Sequence, residues 1–232
     1  MGRVRESVQR NTRQICPRFA EDNVALKEEQ AALWEADRAA WARDQPVTAW
    51  LASHLTLVPV SDDPLPTATT DGCQLLFNAA WSAGLDTPTR RFLQAHLTWH
   101  CVAGHLYTPR HWERRRWHLA CDHEVNALLL LLGIQLPGDA VLFPACIGQS
   151  LPAVYDWLGH FPGQEREKSL DMPPATWGML PDGLADTDGE TPHLADETLL
   201  RRWQGRALEV AKRYLGTPHL PCHVAAFLVT RQ

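Results

Sequence analysis

His96 and His100 stand four residues apart in the run HLTWHCVAGH, and at that spacing on a helix they share a face. Two imidazoles so placed can grip one metal ion, as they do in the HExxH helix of zinc peptidases. A bare pair is weak evidence in a chain with eleven histidines. Asp122 strengthens it. Catalytic zinc takes three protein ligands, often two histidines and a carboxylate, and leaves a fourth position to water. Asp122 lies 22 residues beyond His100 on a second helix, about where glutamate-type zincins place their carboxylate. Asn126, one turn further on the same face, is positioned to hydrogen-bond a liganding imidazole and fix its ring. His118, one turn before Asp122, is a candidate fourth ligand or a donor behind one. His105 is the rival third ligand, but a continuing helix would turn it roughly 140° from the metal face. Only a chain reversal at Gly104 would return it. His111 and His123 are expected to face solvent, and Cys101 and Cys121 to pack rather than ligate.

The elements that must carry these residues follow from pattern and punctuation. EDNVALKEEQAALWEADRAAWARD, residues 21–44, spaces Val24, Ala31, Trp34 and Trp41 as an amphipathic helix that Gln45 and Pro46 end. HLTLVPV, TATT and CQLLFN predict a small antiparallel sheet with a hairpin at Asp71-Gly72, and Pro59 places its own strand at an edge. The first histidine helix begins with Thr87 as N-cap and Pro88 in the first turn and closes at Gly104. The second runs from about His111 to Leu132. A short helix capped by Ser150 follows. Residues 161–193, rich in Pro, Gly and Asp, read as a long irregular connection. Residues 194–232 form a helical segment packing on the core, ending in a short helix or strand. The division is a basic tail over 1–19, a core over 20–160, the connection and the C-terminal segment.

Composition excludes several functions. Twenty-two basic residues against 27 acidic ones give a net charge of −5, which offers no general attraction to nucleic acid or an anionic membrane. The Arg-rich tail (Arg3, Arg5, Arg10, Arg13, Arg18) is read as solvated. The longest aliphatic run, ALLLLLGI, is too short to span a bilayer, and the N-terminus has no apolar signal core. A cytoplasmic protein is expected. Six cysteines without CxxC pairs indicate buried hydrophobes. Trp99, Trp112 and Trp117 are expected in the core.

Beyond the histidines, an ordered series of segments resembles a known family. LVPV, TATTDGCQLLFNAAW, QAHLTWHCVAGH, RWHLACDHEVNALLLLLGIQLP and FPACIGQSLPAVYDWLG are similar, in order and spacing, to the bacterial metallopeptidase-type domain that commonly precedes a von Willebrand factor A-like domain. The likeness extends from about Gln45 to Gly159, and RRWQGRALEVAKRYLGTPHLP is similar to a later helix of that family. The resemblance implies an α+β, mainly helical, zincin-like fold in which a small sheet packs on the metal-binding helix and its edge strand lines up a peptide. It carries His96, His100 and Asp122 over as ligands of one zinc ion and matches His105 to a further family histidine. It also implies association with an AAA+ ATPase-containing assembly. The usual A-like domain is missing from these residues, so a standalone form or a fragment is expected.

The family's general base does not carry over. Where the zinc-peptidase helix has glutamate, this chain has Leu97, which cannot take a proton from water or return it to a leaving amine. Loss of such assistance removes about 10²–10⁴ in rate. Glu124 lies about 200° from Asp122 around an ideal helix, and Glu113, Tyr107 and Tyr155 have no assigned place. Three functions follow: a degenerate zincin that binds a peptide or partner protein, a peptidase with a displaced base, or a metal-free structural domain. The first is the expectation.

Overall fold

A computed structural model describes residues 17–61, 65–108, 112–161, 163–177 and 194–230. The residues Arg3, Arg5, Arg10, Arg13, Cys16 and His111 lie outside them. Helix α1 (Pro17–Asp44) meets α2 (Pro46–Ala52), whose first turn Pro46 opens rather than merely ending α1. The buried stripe of α1 is Gln30, Trp34, Asp37 and Trp41, while Val24 is exposed. Trp34 explains much of this register. Its ring stacks on Phe77 with centroids 4.1 Å apart, and its indole N–H donates to Ser82 Oγ at 2.7 Å. A buried indole keeps its stability contribution only when that N–H is satisfied.

Strands β1 (Thr56–Val60), β2 (Ala68–Thr70) and β3 (Gln74–Asn78) form a three-stranded sheet in the order β1-β3-β2. The β2–β3 hairpin is antiparallel, with Asp71 Oδ1 accepting the amides of Cys73 and Gln74 and Gly72 at φ +83°. The first strand departs from expectation. β3 inserts between its predecessors, so β1 pairs with it in parallel and the sheet is mixed. Residue pattern marks strands but not which neighbours they choose. Pro59 does sit on an edge strand, where its missing N–H costs no ladder bond.

After the short α3 (Ala79–Ser82), α4 (Thr87–Val102) runs through the centre of the molecule. Its N-cap is Asp86, not Thr87: Asp86 Oδ1 accepts the Thr89 amide at 2.9 Å. Every residue from Phe92 to Val102 is buried. Helix α5 (Arg114–Leu131) packs beside it and starts three residues later than the pattern predicts, because the Glu113 carboxylate caps the amides of Arg115 and Arg116. Trp117 and Trp112 join Tyr155 of α6 (Leu151–Leu158) in a second, smaller core, whereas Trp99 belongs to the main one. Ser150 starts α6 but makes no side-chain cap hydrogen bond.

The C-terminal residues form α7 (Leu194–Tyr214) and the helix α8 (Cys222–Thr230), both seated on the main core. Trp203 ties α7 to the sheet: it is fully buried and donates its indole N–H to Gly72 O at 2.8 Å. Trp203→Ala is therefore expected to lower stability by about 3–5 kcal/mol. A urea melt checks this, and a midpoint within error of wild type would mean that α7 does not share the core's stability. Among the described residues no helix is long and apolar enough to cross a membrane.

Candidate metal centre

Where α4 and α5 lie side by side, His96, His100 and Asp122 converge as their spacing requires. His100 Nε2 is 2.9 Å from His96 Nε2, and Asp122 Oδ1 is 3.3 Å from His100 Nε2 and 3.6 Å from His96 Nε2. A fourth group joins from an unexpected place. Asp171, in the connection between α6 and α7, brings Oδ1 to 3.6 Å from His96 Nε2 and Oδ2 to 4.0 Å from His100 Nε2. All four residues are buried.

The donor set fits a divalent ion. Asp122 Oδ1 and both Asp171 oxygens are buried without an aligned hydrogen-bond partner, which is costly unless something else satisfies them. A tetrahedral ion held at about 2.0–2.1 Å sets its donors about 3.3–3.4 Å apart. The observed separations lie on both sides of that edge.

Behind the donors, hydrogen bonds fix each ring. Asn126 Nδ2 donates to Val141 O at 2.8 Å, which turns its carbonyl oxygen to His96 Nδ1, also at 2.8 Å. His96 Nδ1 thus donates to Asn126, and Nε2 faces inward, where loss of its proton frees a lone pair for an ion. His100 is held by a longer chain. Helix α4 ends in a Schellman turn, in which the His105 amide donates to His100 O and the Gly104 amide to Cys101 O, with Gly104 at φ +76°. That reversal returns His105 to the site, but on the outer side of His100, Nδ1 to Nδ1 at 3.1 Å. Glu124 accepts from His105 Nε2 at 2.9 Å. Protons follow in order: His105 Nε2–H to Glu124, His100 Nδ1–H to His105, and the His100 Nε2 lone pair inward. His105 thus backs His100 from outside the four convergent groups, and Glu124 closes this chain.

His118 lies beside the carboxylates, with Nε2 3.3 Å from Asp122 Oδ1 and 3.4 Å from Asp171 Oδ1. It is not one of the four convergent groups. His123 is buried rather than solvent-facing, its Nδ1 accepting the Phe143 amide at 3.1 Å. Glu113 caps α5, and Tyr155 Oη accepts the Glu113 amide, so neither joins the centre. Cys101, Cys121 and Cys146 are buried as expected, whereas Cys73 and Cys222 are exposed.

Burial opposes charge on every group here, and the mixture of signs decides the outcome. Against that burial, Asp171 and Asp122 raise His96 to about 10. His100, pressed by burial and by His96, falls to about 4. Burial alone would raise both carboxyls, but His118 and the other imidazoles hold Asp122 well below its usual range and Asp171 at about 2. The carboxylates are ionised and available as ligands.

A central helix with two histidines one turn apart, a carboxylate from the next helix and a small sheet alongside define a metallopeptidase-type domain. Residues 29–159, more than half of the chain, match the family model described as "Putative metallopeptidase domain", and the chain belongs to that family. No curated protein and no solved structure matches the chain. Asp171 lies beyond the matched residues.

Proposed function

We propose that the protein is a zinc-holding metallopeptidase relative that has lost hydrolysis and acts by binding a peptide or partner protein. One observation carries this reading. The general-base position is Leu97, which is 1% exposed and embedded in the main apolar core. Two imidazoles with two carboxylates suit zinc among common divalent ions. Bound there, zinc would supply a Lewis acid for a carbonyl or water wherever a coordination position stays open. His96, His100 and Asp122 would hold it, and Asp171 would take the position otherwise left to water. Asn126, His105 and Glu124 would orient the rings.

A second reading makes Asp171 a displaced general base, since its carboxylate has no aligned protein partner beside the cluster. Its ionisation counts against this. A base at about 2 is far from the neutral range in which proton abstraction is efficient. Assays on casein and a peptide library decide: no turnover is expected, and hydrolysis abolished by His100→Ala would overturn the inactive reading.

Metal affinity should rise with pH. His96, raised to about 10, is protonated through the neutral range and must lose that proton to accept an ion at Nε2. Uptake therefore releases protons, and affinity falls as pH drops. Calorimetry in buffers of different ionisation enthalpy checks this, and uptake without proton release would contradict the assigned ligand. The partner is expected, by the family resemblance, to belong to an AAA+ ATPase-containing assembly. The described cysteines are all free thiols, which accords with a cytoplasmic site of action.

A further inference from the structure

The segment from Glu167 to Trp177 crosses the centre from one wall to the other. Arg115 of α5 donates to Glu167 O at 2.6 Å, and the Ser169 hydroxyl donates to the Asp122 carboxylate. Leu170 lines a narrow space with Phe92, His96, Asp122 and Asn126. Asp171 then enters the donor cluster. Met172 N–H donates to Ala68 O at 2.7 Å, and Thr69 Oγ1 donates to Pro173 O at 2.8 Å. Beyond them, the Trp177 indole donates to His105 O at 2.8 Å.

Ala68 and Thr69 belong to β2, the edge strand opposite β1, and β2 is the strand that lies against α4. An extended chain that pairs its backbone with an open strand edge while inserting a side chain into a pocket is bound by strand addition. Pro173 and Pro174 favour extended backbone at the residues before them, which suits Met172 and Pro173 to that role. No ladder of strand type is needed: one backbone bond and one hydroxyl bond hold to β2 the two residues that follow the side chain entering the site.

We infer that the β2 edge is a groove for a peptide with an acidic side chain, filled here in cis by Ser169–Pro173, which bends at Leu170 and Asp171 to plug the metal centre with the Asp171 carboxylate and then runs along β2 at Met172 and Pro173. This rests on the proposed binding function and supplies its ligand class and its control. A tethered occupant competes at an effective concentration near millimolar, so a free peptide is held off until the segment is loosened.

The test uses the full chain loaded with cobalt and a labelled synthetic peptide of residues 165–176. Three variants loosen the segment at separate points: Asp171→Ala, Met172→Pro, which removes the N–H that pairs with Ala68, and the milder Thr69→Val. Peptide affinity is expected to rise by roughly 10²–10³ in the first two over wild type. A peptide with alanine in place of its aspartate should lose that gain. Acetohydroxamate should perturb the cobalt spectrum of Asp171→Ala but not of wild type. Peptide binding that is absent or equal in wild type and all folded variants would overturn the inference. If no protein retains cobalt, the metal reading fails separately, and the peptide titrations still decide the groove.

Discussion

Protein purified without a histidine tag is expected to carry a single equivalent of zinc, and stripping it with a chelator should lower the melting temperature by about 8–16 °C. The size follows from linkage. An ion present at a thousandfold above its dissociation constant stabilises the folded chain by about 4 kcal/mol. For a chain of this length each kcal/mol moves the midpoint by about 2–4 °C. The cause is specific: without a cation, ionised Asp122 and Asp171 are buried with unaligned oxygens, and His100 beside them is pushed toward neutrality by burial and by His96. His100→Ala should abolish binding, because it removes a donor and leaves His105 and Glu124 with nothing to orient. Asp171→Ala should retain metal more weakly. Substoichiometric zinc unaffected by His96→Ala would remove the metal from the account altogether.

Leu97→Glu is expected to restore the motif without restoring the reaction. The side chain at 97 is buried in the main core, so an unpaired carboxylate there should cost about 3–5 kcal/mol. The variant should melt well below wild type and still fail to cleave casein, since Asp171 remains beside the inward-facing nitrogens of His96 and His100. Urea denaturation and a casein assay check both halves. A stable variant that gains turnover would mean that position 97 faces an open site and that Asp171 does not close it.

How much of this centre could be read from residues alone depends on which part is considered. His96, His100 and Asp122 were legible because helical geometry converts spacing directly into direction. Asn126 followed by the same rule. His105 was harder: its place depends on one left-handed glycine, and the reversal at Gly104 brings it to the far side of His100 rather than into the four-group cluster. Asp171 left no such trace. It lies in a stretch with neither period, among other aspartates, and only its contacts distinguish it. The mixed sheet escaped for a related reason, because insertion of β3 between β1 and β2 is a choice of tertiary neighbour and not a property of either strand.

The position of Asp171 also orders events during synthesis. Chains emerge from the ribosome N-terminus first, and early segments can associate before later ones exist. Asp171 follows Asp122 by 49 residues in the sequence, so α4 and α5 can pair and capture an ion while the closing residue is still unsynthesised. A nascent chain halted between those points would hold metal in a three-coordinate protein cradle with a solvent-filled corner. The finished molecule would cover that corner, and from then on an ion would enter or leave only when the segment carrying Asp171 lifts.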